Sequence, residues 1–385
     1  MLAPDPKRFG PRLRPPLRPN ITPLLPSFSA GSPLRSIPGM PVTLRDVAQR
    51  AGYSVTTVSR ALNGFSDVNE ETRRHIQAVA RELGYIPNLS ARQLQTRRSQ
   101  ALGFVIPTPP ERLNEPFFTE FLSAVGVEAA RHGYDLLISA RAPDTHELET
   151  YRRLVQGGRV DGMVLVRGRR HDPRVDLLRR LDVPFVLFGR TDDDADYAWI
   201  DVDGTAGVRL ATGHLLALGH TRIAYVSGPA HYSFVLRRQQ GYEEALRAAR
   251  RAVEPQRIIA VEHMTEREGY QAGRMLLAQA ERPTAIVAVT DLVAYGVMRA
   301  VHNAGGRVGR DVAMVGFDGL ASSAYSTPPL STVFQPIAEI GHRVVEILLT
   351  LVTARPSSWP QILISPTLVV RESSTGHPEN ENGEI

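Results

Sequence analysis

The chain of 385 residues contains no cysteine and only one lysine, Lys7. The absence of cysteine excludes disulfide bonds, thiol catalysis and cysteine-ligated zinc. The shortage of lysine excludes, beyond residue 7, a lysine nucleophile and the lysine of a phosphate-binding loop. No apolar run approaches the length of a membrane-spanning helix, and the N-terminal residues do not form a signal-peptide pattern. We therefore expect a cytoplasmic protein with no contact to a membrane.

Several catalytic and metal-binding motifs are incomplete. The sequence HELE at 146–149 lacks the second histidine of a zinc-protease helix. The aspartates within 192–196 resemble a calcium loop, but Tyr197 and Asp203 occupy positions that require glycine and glutamate. Neither GxSxG nor GxxxxGK occurs, so a nucleophile elbow and a phosphate loop are both missing. We expect no enzyme activity, no cofactor and no metal.

Length and charge indicate several domains with different partners. A chain of 385 residues exceeds one ordinary domain, and its 42% hydrophobic content is typical of a globular protein. Residues 1–39 hold six basic residues and one acidic residue, residues 40–99 hold nine and five, and the remainder holds 30 and 34. A basic front on a mildly acidic body is typical of a DNA-binding segment attached to a body that does not bind phosphate.

Residues 43–62 have the pattern of two short helices joined by a tight turn. The apolar stripe of the first helix comprises Leu44, Val47, Ala48 and Ala51. Thr43 and Asp46 form the pattern of a capping box, and Gly52 stands where the helix should end. Ser54 can cap the second helix, whose inner face is predicted to be Val58, Ala61 and Leu62.

The outer face of this second helix is small and polar. It would comprise Val55, Thr56, Thr57, Ser59 and Arg60. Such a surface suits a helix that enters a DNA major groove, where hydrogen bonds distinguish the bases. The alternative is an ordinary helical hairpin with a solvated face.

A third helix should follow, beginning at the cap Asn69 and ending at Gly84. From Val42 to Ser99 the chain resembles the headpiece of the LacI/GalR family of bacterial transcription regulators. The matching segments are TLRDVAQRAG, TVSRALNG, TRRHI, ELGYIPN and AR-x-L. The resemblance implies an all-α helix-turn-helix headpiece at 40–84 and a hinge at 85–100.

The resemblance also implies which headpiece residues bind DNA. Base contacts are expected for Val55, Thr56 and Arg60. Contacts that position the backbone are expected for Ser54, Thr57, Ser59 and Asn63, and Thr43 belongs to the same DNA-binding set. In the hinge, Leu94 would wedge between base steps of the minor groove, with Ala91 one turn before it. The alternative for Leu94 is one more apolar helix residue.

From residue 101 the pattern changes to alternating strands and helices. Strands are predicted at 101–106, 134–139, 161–166, 184–188, 221–227, 283–289, 311–317 and near 368–370. Helices are predicted at 117–131, 145–155, 174–181, 205–218, around 241–244, and at 268–280, 292–302 and 337–353. Continuous apolar strands separated by amphipathic helices indicate two parallel sheets covered on both faces.

This second region also resembles the family, for example in GRVDGMVLV, HLLALGHTRIAYVSGP and TPPLSTVFQP. The resemblance implies an α/β two-lobed periplasmic-binding-protein type I domain at 101–372. Its first lobe would use residues 101–202 and 337–364. Ligands of such folds bind in the cleft between the lobes, near the C-terminal ends of the strands.

A sugar-binding cleft needs planar hydrogen-bonding groups and an apolar face. By resemblance the candidates are Phe117, Phe118, Arg190, Arg238, Met264, Thr290, Asp318 and Gln335. One of the two phenylalanines should belong to the core, and Asp291 should be a helix cap. Two positions, Gly189 and Gly319, depart from the aspartates common in the family.

The combined features predict a homodimeric repressor that binds a near-palindromic double-stranded DNA operator and is released by a small sugar. The segments PFVLFGR, DPRVDLL and YRRLV resemble the branch associated with α-glucosides. Alternatives are a repressor or activator that requires its ligand, a sugar-binding protein without DNA binding, and a sugar kinase with a DNA-binding head. Residues 1–39 are expected to be a disordered extension or to precede the true start at Met40, and residues 373–385 a disordered tail.

Overall fold

A computed structural model describes residues 42–86, 98–106, 115–140, 147–192, 196–354 and 357–375. The chain separates into two compact units, with the boundary after residue 88. Predictions for residues 1–39, for Ala91 and Leu94, and for most of the hinge lie outside the described residues. Among the described residues, no helix combines the length and the apolar character needed to cross a bilayer.

The first unit contains three helices, and each begins at a polar cap. They are α1 (Leu44–Ala51), α2 (Val55–Leu62) and α3 (Glu70–Glu82). The Thr43 side chain accepts the backbone N–H of Asp46 while Asp46 accepts the backbone N–H of Thr43, which completes the predicted capping box. The core residues Val47, Val58 and Ile76 come from different helices and are fully buried. One small core therefore fixes the relative orientation of all three helices.

The second unit has two lobes, each built on a six-stranded sheet. The first lobe contains β1 (Ala101–Ile106), α4 (Pro116–Arg131), β2 (Asp135–Ala140), α5 (Glu147–Gln156), β3 (Gly162–Val166), α6 (Pro173–Arg180), β4 (Phe185–Phe188), β5 (Ala198–Val202), α11 (Ile337–Thr353) and β11 (Gln361–Ile364). Its strand order is β11-β5-β4-β3-β1-β2, and every pair is parallel. Two apolar clusters pack this lobe. One includes residues of α4 and α11, and the other includes residues of α5 and α6.

The second lobe repeats this architecture. It contains α7 (Gly204–Ala217), β6 (Ile223–Ser227), α8 (Ser233–Ala248), β7 (Ile258–Ala260), α9 (Glu266–Leu277), β8 (Ala285–Ala288), α10 (Asp291–Asn303), β9 (Ala313–Asp318), β10 (Ser331–Phe334), β12 (Thr367–Val369) and α12 (Glu372–Thr375). The strand order is β12-β10-β9-β8-β6-β7, and only the β10–β12 pair is antiparallel. The chain passes between the lobes after β5, β10 and β11, as the predicted lobe assignment requires.

The structure adds strands that the sequence pattern did not reveal. The strands predicted from apolar runs are present, with ends shifted by one or two residues. The missed strands are β5, β7, β10 and β11, which are only three to five residues long. β7 lies at a sheet edge and β10 begins with Ser331 and Thr332, so neither has a long apolar run.

The predicted disordered tail is wrong for its first three residues. Ser373 and Ser374 are buried in the short helix α12. The Ser373 hydroxyl donates to the carbonyl of Met314 and accepts the N–H of Ser331, both at 2.7 Å. A polar pair is retained here because it satisfies backbone groups of two strands. Residues 376–385 lie outside the described residues.

Candidate functional site

The first candidate site is the outer face of α2 in the three-helix unit. Val58 and Ala61 are fully buried, whereas Val55 is 42% exposed and Thr56 is also exposed. Thr57, Ser59 and Arg60 are half-buried at the margin of this face. The helix therefore presents the small, polar side that its sequence predicts. The DNA contacts of these residues remain predictions.

Three of the predicted phosphate-contacting side chains shape the ends of α2. The Ser54 hydroxyl accepts the backbone N–H of Thr57 at 3.1 Å and lies 2.8 Å from the Thr57 hydroxyl. At the other end, Asn63 Nδ2 donates to the carbonyl of Ser59 at 2.9 Å. These hydroxyl and amide groups remain at the surface, where they can also meet a phosphate oxygen.

Arg60 is held by two side chains from the turn that follows α2. Its Nε and Nη2 each lie 2.7 Å from Oδ2 of Asp67. Its guanidinium carbon lies 4.6 Å from the centre of the Phe65 ring. The hydrogen bond from Arg60 lowers the pKa of Asp67, so this carboxylate stays charged at neutral pH. The arginine best suited to guanine thus has a defined orientation.

The second candidate site is a cavity between the two lobes that opens to solvent, with about 720 Å³ of space among its lining residues, solvent included. The predicted ligand residues that line it are Phe117, Arg190, Arg238, Met264, Thr290, Asp318 and Gln335. They come from both lobes and from the segment that joins β10 to α11. A ligand in this cavity would therefore contact both lobes at once.

Arg238, Asp318 and Gln335 form the polar centre on the second-lobe side. Arg238 Nη1 lies 3.6 Å from Asp318 Oδ1 and donates to the carbonyl of Val289 at 2.5 Å. Gln335 Nε2 donates to Asp318 Oδ1 at 2.7 Å. The guanidinium carbon of Arg238 also lies 3.6 Å from the centre of the Phe317 ring. All three polar side chains are buried, so their orientation is fixed before a ligand arrives.

The electrostatics of this centre are unusual for an aspartate. Burial raises the pKa of Asp318 to about 7, and repulsion from Asp291 adds to the rise, although Arg238 opposes it. Asp318 also has a φ of +129°, which a side chain other than glycine rarely adopts. Such backbone conformations cost energy and persist only where surrounding contacts hold them. They are concentrated at ligand sites.

Two further arginine–carboxylate pairs lie on the first-lobe side. Arg167 pairs with Glu115. Arg190 Nε donates to Asp201 Oδ2 at 2.8 Å, and burial raises the pKa of Asp201 despite this bond. The cavity therefore contains three guanidinium groups, each next to a carboxylate.

Aromatic rings supply the apolar part of the cavity. Phe117, Phe188 and Phe234 line it, and Phe117 lies 5.8 Å from Phe188 between ring centres. Phe118 does not line it: only 1% of its surface is exposed, and it packs in the first-lobe core. Its assignment as a ligand residue is therefore wrong, whereas the expectation that one of the pair belongs to the core is correct.

Asp291 has a different role from the predicted helix cap. Thr290 caps α10 by accepting the N–H of Val293. Asp291 is fully buried, and its carboxylate accepts the backbone N–H groups of Gly319 and Leu320 together with the hydroxyls of Ser323 and Thr332. It thus fixes the loop that follows β9, directly after Asp318.

The two glycines that depart from the family pattern have a structural reason. Gly189 has a φ of +118° and Gly319 a φ of +75°. A Cβ at Gly319 would come within 2.9 Å of the Cα of Phe334. A side chain at either position would be strained, and at Gly189 the backbone rather than a carboxylate lines the cavity.

Backbone contacts join the lobes beside the cavity. The N–H of Ser233 donates to the carbonyl of Gly168, and the N–H of Arg170 to that of His231, both at 3.1 Å. Leu320 of the second lobe is buried in the apolar cluster of the first lobe. The lobes are therefore closed against each other around the cavity.

Sequence reasoning missed about half of the cavity lining. The additional residues are Glu115, Arg167, Gly168, Phe188, Gly189, Asp201, Phe234, Leu292 and Leu320. Arg167 directly follows β3 and Phe188 ends β4, so the rule that ligands bind at the C-terminal ends of parallel strands could have identified them. Asp201 belongs to β5, which the pattern did not reveal.

Two family models match the chain. Residues 43–88 match the model for bacterial regulatory proteins of the lacI family, and residues 212–374 match a periplasmic binding protein-like domain. Among curated proteins, the HTH-type transcriptional regulator AglR of Rhizobium meliloti (strain 1021) is 34% identical over 88% of this chain and 96% of its own length. The HTH-type transcriptional regulator CelR of Thermobifida fusca is 34% identical over 86% and 98%.

Solved structures show the same similarity. A complex of the transcriptional regulator CelR with cellobiose has a TM-score of 0.68 and 31% identity, covering 86% of this chain and 99% of the other. The lac repressor dimer bound to operator and the anti-inducer ONPF has a TM-score of 0.77 and 28% identity, covering 87% and 99%.

Proposed function

Because the chain belongs to the lacI family of bacterial regulatory proteins, we propose that it represses genes of sugar uptake or catabolism and that a small sugar releases it from its operator. The boundaries proposed are a headpiece at 40–84, a hinge at 85–100 and a ligand-binding and dimerisation domain at 101–372. The protein acts in the cytoplasm and catalyses no reaction.

Two copies of the headpiece bind a near-palindromic operator as a homodimer. In each copy α2 enters the major groove. Val55, Thr56 and Arg60 meet base edges, and the hydroxyl and amide groups at the ends of α2 meet phosphates. Leu94 of the hinge enters the minor groove between the two copies.

The paired charges of the cavity are the observation that supports a sugar ligand. Each of Arg167, Arg190 and Arg238 lies beside its own carboxylate, so above about pH 7, where Asp318 is ionised, the cavity needs no ionic ligand to balance its charge. Arg238 Nε and Arg167 Nη1 are buried donors for which the described part of the chain supplies no hydrogen-bond partner. Such donors fit sugar hydroxyls, and the aromatic rings fit the apolar face of a pyranose.

This charge balance favours a neutral sugar over a sugar phosphate or a uronic acid. The relative solved with cellobiose binds a neutral disaccharide, which supports the same class. Within that class we propose an α-glucoside, on the resemblance of the segments around residues 151–155, 172–178 and 184–190.

Sugar binding changes operator affinity through the lobes. A ligand that contacts both lobes can shift the equilibrium between two arrangements of the lobes. The shift equals the difference between its binding free energies for the two arrangements. A coupling of about 1–3 kcal/mol is typical of allosteric proteins and is sufficient for release. The hinge at 85–100 transmits the change because it leads directly into β1.

The proposal is tested by a thermal-shift screen of neutral mono- and disaccharides. Sugar phosphates and uronic acids serve as the charged comparison, and Arg238→Ala is the variant that should lose the shift. The neutral ligand found is then titrated into a complex of the protein with operator DNA, and release is expected. A ligand that tightens the complex would favour the second candidate, a repressor or activator that requires its sugar. Binding by sugar phosphates alone would refute the neutral class.

Two further measurements address the other candidates. An ATP-hydrolysis assay in the presence of the sugar should give no turnover above that of a boiled sample, and turnover would indicate a sugar kinase. Operator footprinting should show protected half-sites. A protein that binds the sugar but no DNA would be a plain sugar-binding protein.

A further inference from the structure

The turn after α2 contains a carboxylate whose role goes beyond stabilising the headpiece. Asp67 lies seven residues after Arg60, and both side chains are close to half exposed. An exposed ion pair of this kind contributes little to stability. The pair is nevertheless short, and both the Nε and the Nη2 of Arg60 approach the same oxygen.

The turn that presents Asp67 is itself anchored. Arg73 of α3 donates through Nη2 to the carbonyls of Phe65 and Val68, at 2.8 and 3.2 Å. The N–H of Phe65 donates to the carbonyl of Arg60 at 3.1 Å. Two turn residues, one on each side of Asp67, are thus tied to the helices, and the carboxylate has a fixed position relative to α2.

Arg60 is restrained on one edge and on one face. Asp67 occupies the edge formed by Nε and Nη2, and the Phe65 ring covers one face of the guanidinium. A guanidinium is planar and has five N–H donors in a rigid arrangement. With the Nε edge occupied, the donors that remain are those of Nη1 and the second N–H of Nη2. These two groups can reach O6 and N7 of one guanine.

We propose that Asp67 is a positioning residue that sets the specificity of DNA reading, because it holds Arg60 so that its Nη1 and Nη2 end faces a guanine in the major groove. The inference rests on the proposed base contact of Arg60. Asp67 performs a second task as well. Its negative charge repels phosphates and so weakens binding to unrelated DNA.

Because Asp67 has these two roles, Asp67→Ala should change DNA binding in a way that replacing a purely structural residue would not. Loss of the carboxylate frees a long side chain, which should lower discrimination for the contacted guanine about three- to tenfold. The headpiece also gains one positive charge, so its affinity for unrelated DNA should rise. Specific recognition and general affinity then change in opposite directions.

The matched control is Glu82→Ala. Glu82 is also an exposed acid of the headpiece, and among the described residues its ion pair is with Arg50, at 3.2 Å, rather than with Arg60. The substitution Glu82→Ala removes the same negative charge as Asp67→Ala, so affinity for unrelated DNA should also rise. Discrimination between bases should not change.

The experiment uses the full chain and the duplex that the unmodified protein enriches from a randomised DNA pool. Each guanine of that duplex is replaced in turn by 7-deazaguanine, which lacks the N7 acceptor, and the loss of affinity is measured. Unmodified protein should show one strongly sensitive guanine per half-site, and Asp67→Ala should show reduced sensitivity there. When Arg60 has already been replaced by alanine, Asp67→Ala should cause no further loss of sensitivity to 7-deazaguanine, because Asp67 acts through Arg60.

Three results would overturn the inference. Full sensitivity in Asp67→Ala together with lost sensitivity in Arg60→Ala would refute the positioning role while leaving the proposed function intact. Full sensitivity in Arg60→Ala would refute the base contact itself. If Asp67→Ala lowers the sensitivity to 7-deazaguanine equally in the presence and absence of the Arg60 side chain, the carboxylate does not act through Arg60. The melting temperatures of all variants, expected to be close to that of the unmodified protein, exclude misfolding as the cause, and Asp67→Asn repeats the test with a side chain of the same shape.

Discussion

Asp318 should make the stability of the ligand-free protein depend on pH. Burial raises its pKa to about 7 from an ordinary value of 3.8. In the unfolded chain the carboxyl loses its proton near the ordinary value, whereas the folded protein retains it until about pH 7. Between these values the folded state binds more protons, so its stability falls as the pH rises.

The expected size follows from the shift. About three pH units at 1.4 kcal/mol each correspond to about 4 kcal/mol between pH 4 and pH 7, with no further loss above that range. Asp318→Asn cannot ionise, and its amide oxygen can still accept the hydrogen bond from Gln335. The variant should therefore gain stability relative to the unmodified protein as the pH rises. From about pH 5 to pH 7 the gain should be about 5 °C in melting temperature.

Thermal unfolding of both proteins without sugar, from about pH 5 to pH 8, measures this difference. The control is Asp311→Asn in the same lobe, because the hydrogen bond from Arg307 lowers the pKa of Asp311 and places its titration below this range. Its melting temperature should stay at a constant offset from that of the unmodified protein. If the Asp318→Asn curve is also parallel to the unmodified one, the carboxyl is already ionised at low pH and the argument from burial is wrong.

Four further changes have separate readouts. Arg60→Ala should cost about 1–3 kcal/mol of operator affinity and relax the preference at one base pair, measured by titration of substituted operators. Phe118→Ala should cost about 3–5 kcal/mol of folding stability through a core cavity. Phe117→Ala should instead weaken sugar binding, measured by calorimetry. Asp291→Ala should destabilise the second lobe by about 3 kcal/mol or more, measured by thermal unfolding, because three buried donors and the half-buried N–H of Gly319 lose their bond to this carboxylate.

The contrary outcomes are equally specific. Unchanged base specificity in Arg60→Ala would refute the proposed contact between Arg60 and a base. Equal stability losses for Phe117→Ala and Phe118→Ala would mean that both rings belong to the core. A stable Asp291→Ala would mean that the loop after β9 is held by other contacts.

The headpiece was largely predictable because its signals are local. The apolar stripe of α1, the caps Thr43 and Ser54, and the stop at Gly52 depend on neighbours within a few residues. The orientation of Arg60 was not predictable, because its partner Asp67 lies in the next turn and meets it only when α3 fixes that turn.

The cavity was half predictable for a related reason. Arg238, Asp318 and Gln335 were identified from the resemblance and converge as expected. Arg167 and Asp201 were missed, since no local pattern shows that strands from separate parts of the chain end at one edge. The two phenylalanines were indistinguishable in sequence, and the rotation of about 100° between successive residues of helix α4 decided which faces the core.

The amino-acid sequence alone determined the helices and the long apolar strands, their order and the repeated strand–helix pattern of the two lobes, because caps and periodicity act within short stretches of chain. Tertiary structure decided which charges are paired, which aspartate has a pKa raised to about 7, and which ring lines the cavity. Those properties depend on burial and on distances between residues far apart in the chain, and these exist only after the lobes have folded and closed.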